Sequence, residues 1–442
     1  MASRTATSPT PDVGGTGRRE DGTDADLTIA IPALNEADNL THLLPRLKAV
    51  LAGLECRYEI IIVDGGSRDS TASVATSHGA RLVQQTKRGY GDAIREAIRW
   101  AEGEYVLTLD ADLSHDPSFI PSMWAHRDSA ALVIASRYVD GGSARMPRVR
   151  YLLSRILNLA FSRLLSLPFR DLSSGFRLYK TAVVRGLELA SDDFDVNQEI
   201  LVKVVAGGWP VVEVPFSYEP RENGSSKARL LKFARSYLST LGRMWRFRNS
   251  IQAADYDERA ARSWLLPQRL WQQARYRIIT ELARGSGRKL DVGCGSSAIL
   301  RDTADCVGLD LARRKLRYMS RYGKPMVEGT IFALPFQDAS FDVLICSEVI
   351  EHIPEGLGPF HELRRVLKPG GFLILGTPDY GRDLWRVIEW AYERLVPGGY
   401  AVEHITHYSR ETLSNLVRSL GFHIESVSYV FGCELILSLR KE

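Results

Sequence analysis

The chain lacks a long apolar run. No stretch of about 18 uncharged apolar residues occurs in its 442 residues, so the sequence predicts no transmembrane helix. An apolar segment behind the N-terminus is also missing, which argues against a secretory signal peptide. Cysteine is scarce. Cys56, Cys294, Cys306, Cys346 and Cys433 are scattered, odd in number and without metal-ligand spacing. That pattern excludes a disulfide framework and suits a reducing cytosol, so a cytoplasmic protein is expected. Excess charge is small as well. A net charge of +4 gives no footprint for nucleic acid, and none is expected as a partner. Residues 1–26 hold hardly an apolar side chain among Ser, Thr, Gly and Asp, and read as a disordered tail. The remainder is ordinary, with 45% hydrophobic and 25% charged residues, and its length predicts two or three domains.

One stretch organises the first half: Tyr105-Val-Leu-Thr-Leu-Asp110-Ala-Asp112-Leu-Ser-His-Asp-Pro117. A β-forming apolar run ends in two carboxylates one residue apart, then a turn and a proline. On an extended backbone, period-2 geometry sends Asp110 and Asp112 to one side, where both can face one hard cation. A cation so held can bridge the oxygens of a diphosphate.

Around it the pattern alternates strand and helix. Leu27–Pro32, Tyr58–Val63, Arg81–Gln85 and Ala131–Ser136 read as strands, with helices over 38–51, 92–101 and 118–127. Repeated βα units predict a parallel sheet covered on both faces. Ligands of such sheets sit at the carboxyl ends of strands, where Asn35, Glu36, Asp64, Asp110 and Asp112 all fall. The Asp64 carboxylate suits ribose hydroxyls or base N–H groups. Gly89 and Gly91 would let backbone approach a nucleotide closely.

Six motifs in order carry a resemblance. They are Ile31-Pro-Ala-Leu-Asn-Glu36, Ile61-Ile-Val-Asp64-Gly-Gly-Ser67, Asp110-Ala-Asp-Leu-Ser-His115, Ser136-Arg-Tyr138, Asp171-Leu-Ser-Ser-Gly-Phe-Arg177, and Glu213-Val-Pro215 with Arg221-Glu-Asn-Gly-Ser-Ser-Lys227. Residues 27–248 resemble the family 2 glycosyltransferases of GT-A fold, and among them the dolichol-phosphate (polyprenyl-phosphate) mannosyltransferases. The resemblance implies that Pro32, Glu36 and Asp64 hold the nucleotide of a nucleotide-sugar donor and that Asp110 and Asp112 bind Mg²⁺ or Mn²⁺. It implies further that Arg137, Arg148, Arg221 and Lys227 clamp the donor diphosphate and the acceptor phosphate. Arginine presents a planar fork matched to phosphate oxygens, and lysine a point charge. Asp112, Arg148 and Asp171 are the expected catalytic residues. Asp171 and Glu199 would position acceptor or sugar, or hold the arginines. Gly65 stands where the family often has a second Asp.

Two basic amphipathic helices follow, Val149–Leu167 and 228–248, each combining a leucine-rich face with arginines. Such helices suit an anionic membrane surface or a domain core. A lipid-phosphate acceptor favours a peripheral position on the inner face of the membrane.

Residues 249–270 read as a polar, partly helical linker. Beyond it, Arg288-Lys-Leu-Asp291-Val-Gly293-Cys-Gly295-Ser-Ser297 places a strand before Gly-x-Gly and a helix, and Val307-Gly-Leu-Asp310 ends the next strand with an acid. The glycines remove Cβ atoms that would keep a ligand off the backbone, and Asp310 is placed to accept ribose hydroxyls. With Ser340-Phe-Asp-Val-Leu-Ile-Cys-Ser-Glu348, Glu351-His352 and Leu367-Lys-Pro-Gly-Gly-Phe-Leu373, this order resembles the class I S-adenosylmethionine-dependent methyltransferases, with a Rossmann-like fold. The resemblance implies Asp291, Gly293 and Gly295 at the methionine part of S-adenosyl-L-methionine and Asp310 at its ribose. Thr330 stands where an adenine-contacting acid is usual. His352, His404 and His407 are candidate bases, and Glu348 and Glu351 either helix-start residues or cofactor contacts.

The expectation is therefore a two-domain α/β protein, GT-A over 27–248 and methyltransferase over 271–442. One domain transfers a hexose, mannose before glucose, to a polyprenyl phosphate at a membrane surface. The other methylates a sugar, glycolipid or small acceptor. The alternative is an active glycosyltransferase, using GDP-mannose or UDP-glucose, joined to a methyltransferase-like binding module without turnover.

Overall fold

The computed structural model describes residues 25–219, 230–263, 265–395 and 404–442. The expected tail up to residue 24, and both Arg221 and Lys227, lie outside the described residues.

Two seven-stranded sheets carry the chain. The first is built from β1 (Leu27–Ala33), β2 (Tyr58–Asp64), β3 (Arg81–Gln84), β4 (Tyr105–Thr108), β5 (Leu132–Ser136), β7 (Arg177–Lys180) and β8 (Val211–Pro215). The short strands β6 (Ser143–Ala144) and β9 (Ser217–Tyr218) pair separately. The sheet order is β3-β2-β1-β4-β7-β5-β8. It is parallel as expected, except that β7 runs antiparallel between β4 and β5. That insertion delivers the Asp171–Arg177 loop to the edge where the parallel strands end. Apolar side chains face both ways: Ile29, Ile31 and Leu107 pack toward the helix Ala37–Leu51, while Ala30, Val63 and Val106 meet Ile94 and Ile98 of Tyr90–Trp100. Burial on both faces makes these strands near-continuous apolar runs.

The second sheet holds β10 (Lys289–Val292), β11 (Cys306–Asp310), β12 (Met326–Glu328), β13 (Phe341–Ser347), β14 (Leu367–Pro378), β15 (Phe422–Val430) and β16 (Glu434–Lys441). In the order β12-β11-β10-β13-β14-β16-β15, only the contacts of β16 are antiparallel.

The connection between the sheets is packed rather than free. Arg248 forks onto Asp255 at 2.6 and 2.7 Å, and Ala254 N–H donates to the Ala206 carbonyl. Helices Tyr256–Ala261 and Leu266–Leu282 follow, the second beginning inside the segment expected to be linker. Tyr318 and Tyr322 both donate to Glu258, while Arg317 donates to the Gly207 carbonyl and lies 3.6 Å from the Trp209 ring centre. Trp209 stands at the start of β8, so the second sheet's helices meet the first domain at the end opposite Asp64 and Asp110.

Candidate active sites

At the carboxyl edge of the first sheet, register sets Ala33 beside Asp64, and the loops after β1 and β2 are stitched together. Asn35, held in the left-handed region at φ 55°, accepts from Arg68 N–H, and its own N–H donates to Ser67 Oγ. Asp64 is buried and accepts from Ser67 N–H, Ser67 Oγ and Gln84 Nε2. Glu36 accepts from Asn39 at 2.6 Å, which fixes its direction at the head of its helix. Pro32 is the penultimate residue of β1.

Asp110 and Asp112 lie outside the strand. β4 ends at Thr108, and the two acids occupy the turn beyond it, in which Leu113 adopts φ 64°. Asp112 shapes that turn by accepting from Ser114 N–H and Oγ. Local side-chain bonds of this kind offer the backbone an alternative to the ladder. His115 anchors the other side: its Nδ1 accepts from Asp110 N–H at 3.0 Å, with Phe176 stacked on its ring. Burial lowers the His115 pKa. Two carboxylates at a sheet edge beside a buried histidine form an oxygen donor set that fits a hard divalent cation.

Arg137 and Asp171 form a fork-to-fork pair, both bonds 2.7 Å, and Arg137 also donates to Ser173. Asp171 is fully buried and accepts from the Arg137 and Ser174 N–H groups as well. Burial pushes its pKa up, but the Arg137 charge and these bonds hold it below the ordinary carboxylate range. Enclosed on all sides, Asp171 holds Arg137, one of the roles expected of it. Nη1 of Arg137 makes no hydrogen bond among the described residues and is its open corner. Glu199 is buried as well, accepting from Ala190 and Ser191 N–H and pairing with Lys203 at 2.8 Å. It holds a loop and pairs with Arg243 at 3.2 Å. Arg148 is exposed at the start of its helix, unpartnered among the described residues.

Gly89 and Gly91 have another reason than ligand approach. A Cβ on either would collide with the backbone of Ser191–Asp192, and Gly91 N–H donates to the Asp192 carbonyl at 2.8 Å. Between them Tyr90 was missed by sequence reading. Its hydroxyl lies 2.6 Å from where a Gly175 Cβ would sit, and Asp110 Oδ1 lies 3.6 Å from the same point. The sequence offered only the glycine-flanked tyrosine as a signal.

The two amphipathic helices differ. Arg148–Leu164 exposes Val149, Leu152, Leu153, Ile156 and Leu159, each more than half accessible. In Leu230–Arg248, Tyr237 and Met244 are buried in the core and Leu241 and Trp245 pack against it. Those side chains tie the helix to the core, while Leu238 is exposed. Among the described residues, no helix is long and apolar enough to cross a membrane.

On the second sheet, Asp291, the penultimate residue of β10, is almost fully buried, and its Oδ2 has no hydrogen-bond partner. Burial and the nearby Asp310 push its pKa up to about 8. A buried carboxylate in that state fits an ammonium group, such as that of S-adenosylmethionine. Asp310 accepts from Gly295 and Ala312 N–H, leaving lone pairs for hydroxyl donors. Gly293 and Gly295 adopt φ 68° and 55°. The space above them is taken by this chain's own side chains, Val349 over Gly293 and Asp257 over Gly295. Asp257, from the connecting segment, accepts from Ser296 N–H and Oγ and from Lys315. Nothing in its sequence context announced that contact. Thr330 accepts from Phe332 N–H. His407 stacks on Tyr380 with centroids 4.0 Å apart. Asp291, Gly293, Gly295, Glu348 and His404 line a cavity of about 2170 Å³ that reaches Trp209 and Trp245 of the first domain.

Comparison with known proteins agrees with both halves. The glycosyl transferase family 2 model matches residues 28–187 and a methyltransferase domain model residues 290–375. An uncharacterized glycosyltransferase of Mycobacterium tuberculosis is 31% identical over 201 residues, covering 46% of this chain and 88% of its own. The chain belongs to glycosyl transferase family 2. It is a glycosyltransferase with a C-terminal methyltransferase domain. A dolichol-phosphate mannosyltransferase of Pyrococcus furiosus is 34% identical over 214 residues, 46% of this chain. The glycosyltransferase spans 59% of that relative's length. A solved glucosyl-3-phosphoglycerate synthase from M. tuberculosis, in complex with Mn²⁺, UDP and glucosyl-3-phosphoglycerate, is 20% identical. That likeness covers 54% of this chain and 86% of the synthase, with a TM-score of 0.41.

Proposed function

We propose that the first domain transfers a hexose, mannose from GDP-mannose, to a polyprenyl phosphate with inversion, and that the second methylates a sugar, glycolipid or other small acceptor. The observation that carries the first half is the convergence of Asp64, Asp110 and Asp112 at the ends of neighbouring strands, with Arg137 locked beside them. Asp110 and Asp112 would hold Mg²⁺ or Mn²⁺, which when bound offsets the charge of a diphosphate. Asp64, Glu36 and Pro32 line the nucleotide side. Arg137 offers its open Nη1 to phosphate, with Arg148 nearby in sequence and exposed. The acceptor phosphate is an anion at neutral pH, so its oxygen attacks the anomeric carbon without a general base. The new C–O bond forms as the bond to the diphosphate breaks, its electron pair leaving with the diphosphate. The exposed leucine face of Arg148–Leu164, with Arg155 and Arg163 among its apolar residues, supports a peripheral position at the membrane surface.

In the second domain Asp291 would hold the ammonium group of S-adenosylmethionine and Asp310 its ribose. The cofactor supplies a methyl group on an electrophilic sulfonium, so the chain's task is to orient the acceptor. The unpartnered Asp291 oxygen favours a binding-competent domain. The deciding experiment incubates the full chain with labelled nucleotide-sugars, polyprenyl phosphate and Mg²⁺ or Mn²⁺. Label from GDP-mannose should enter the lipid fraction only with the metal; no transfer from any donor would overturn the reading.

A further inference from the structure

A second cluster, far in sequence from Asp110 and Asp112, has the makings of a metal site. Glu351, His352 and His404 each bring one ligand-type atom to within 4.8 Å of the others. The backbone builds the cluster: Ile405 and Thr406 N–H both donate to the Glu351 carbonyl, and Thr406 Oγ1 donates to that of Ile353. These bonds carry His404 across some fifty residues to the Glu351-His352 pair. The His352 and His404 rings lie with centroids 4.9 Å apart.

Three features exceed what packing needs. Glu351 is completely buried; its Oε2 accepts from Thr377 at 3.0 Å, and its Oε1 has no hydrogen-bond partner. His404 Nδ1 lies 2.9 Å from Glu389 Oε1 and 2.8 Å from the Tyr380 hydroxyl. A carboxylate on one ring nitrogen fixes the tautomer that leaves the other as a lone-pair donor, the usual support of a metal-binding histidine. Glu348, next to the cluster, adopts φ 60°, a strained conformation for a side-chain-bearing residue. Its Oε1 is likewise buried without a partner.

Charge points the same way. Glu348, Glu351 and Glu434 are gathered around a single guanidinium, Arg275, which lies 3.0 Å from Glu348 and 2.6 Å from Glu434. Three carboxylates against one cation leave an excess that a divalent ion would offset.

We propose that Glu351, His352 and His404 bind a first-row divalent transition-metal ion, with Glu348 beside it and Glu389 holding His404 as a positioning residue. Two imidazoles and a carboxylate suit Zn²⁺, Mn²⁺, Fe²⁺ or Co²⁺ and leave coordination positions open. His404 and Glu348 line the same cavity as Asp291, Gly293 and Gly295. Through His404 and Glu348 the ion would adjoin that cavity, and would suit a methyl acceptor with two adjacent oxygens, a vicinal diol or a hydroxy acid. That acceptor class rests on the methyltransferase reading; the ion site does not. As ligands, His352 and His404 would not serve as general bases.

The test is cobalt titration of the chelator-treated full chain, followed by the visible absorption that nitrogen-ligated Co²⁺ acquires. One equivalent with that absorption is expected, retained in the double variant Asp110→Asn, Asp112→Asn. His404→Ala and Glu351→Gln should lose it, and Glu389→Ala should weaken it about 10- to 100-fold. S-adenosylmethionine binding by each variant, followed in parallel, reports whether the domain is folded. No such absorption in the parent chain, or full retention in a folded His404→Ala variant, would overturn the proposal. Cobalt binding without S-adenosylmethionine binding in the parent would uphold the ion site and sink the methyltransferase reading instead.

Discussion

The acids of the two sheet edges are treated in opposite ways. In the first domain Asp171 and Glu199 are buried with cations and backbone N–H donors, and their pKa values are held low. In the second, Asp291 and Glu351 are buried and Glu348 is half-buried, each with an oxygen left unpartnered, and their pKa values rise. The first edge comes pre-wired: its internal pairs fix loops and an arginine. The second edge leaves negative charge for something positive to complete. Asp171, Glu199, Asp291 and Glu351 are similarly buried, so partners decide the difference among them.

That contrast can be broken most sharply at the proposed metal ligands. Asp112→Asn or Asp110→Asn should lower sugar transfer by on the order of 10²–10³-fold or more while leaving S-adenosylmethionine binding unchanged. Substantial residual transfer, measured with labelled donor, would contradict the metal role. Next comes the internal pair. Arg137→Ala strands the Asp171 charge and should cost about 3–5 kcal/mol in denaturant unfolding of the first domain. A loss under about 1 kcal/mol would show that Asp171 is not held as described. Gly91→Ala drives a methyl group into the Ser191–Asp192 backbone and should cost about 1–3 kcal/mol. If it instead weakened nucleotide binding without loss of stability, the glycine would be a ligand contact after all.

The smallest effect is in pH. The lowered Asp171 pKa contributes stability above the unfolded-state value of about 3.9, lost as pH falls through the folded value. The raised Asp291 pKa has the opposite sign: its cost begins as pH rises past about 3.9 and levels off above about 8. The first domain should lose stability mainly in acid, and the ligand-free second domain gradually toward neutral pH. Parallel pH dependence of the two transitions would contradict this.

Much of the framework was legible in the sequence, because strand ends with acids and βα alternation are local signals. Asp64, Asp110 and Asp112 reach one edge for that reason, as do Asp291 and Asp310. What was not legible depended on distant partners. The Asp110–Asp112 turn is shaped by Ser114 and His115 rather than by strand pleating. Gly89 and Gly91 answer to a loop a hundred residues on. Helical periodicity in 228–248 could not say whether its apolar face met lipid or core. His404 joins Glu351 only through backbone bonds at 405 and 406, which no spacing rule encodes.

The buried acids Asp291 and Glu351 of the second domain await a cation, where Asp171 and Glu199 of the first are already paired. Calorimetric titration of S-adenosylmethionine into the full chain across pH tests it most directly. One equivalent should bind, with affinity rising up to about pH 8 as Asp291 gives up its proton, and Asp291→Asn should weaken binding and flatten that dependence. Absence of binding, or an affinity indifferent to both pH and Asp291, would contradict the account.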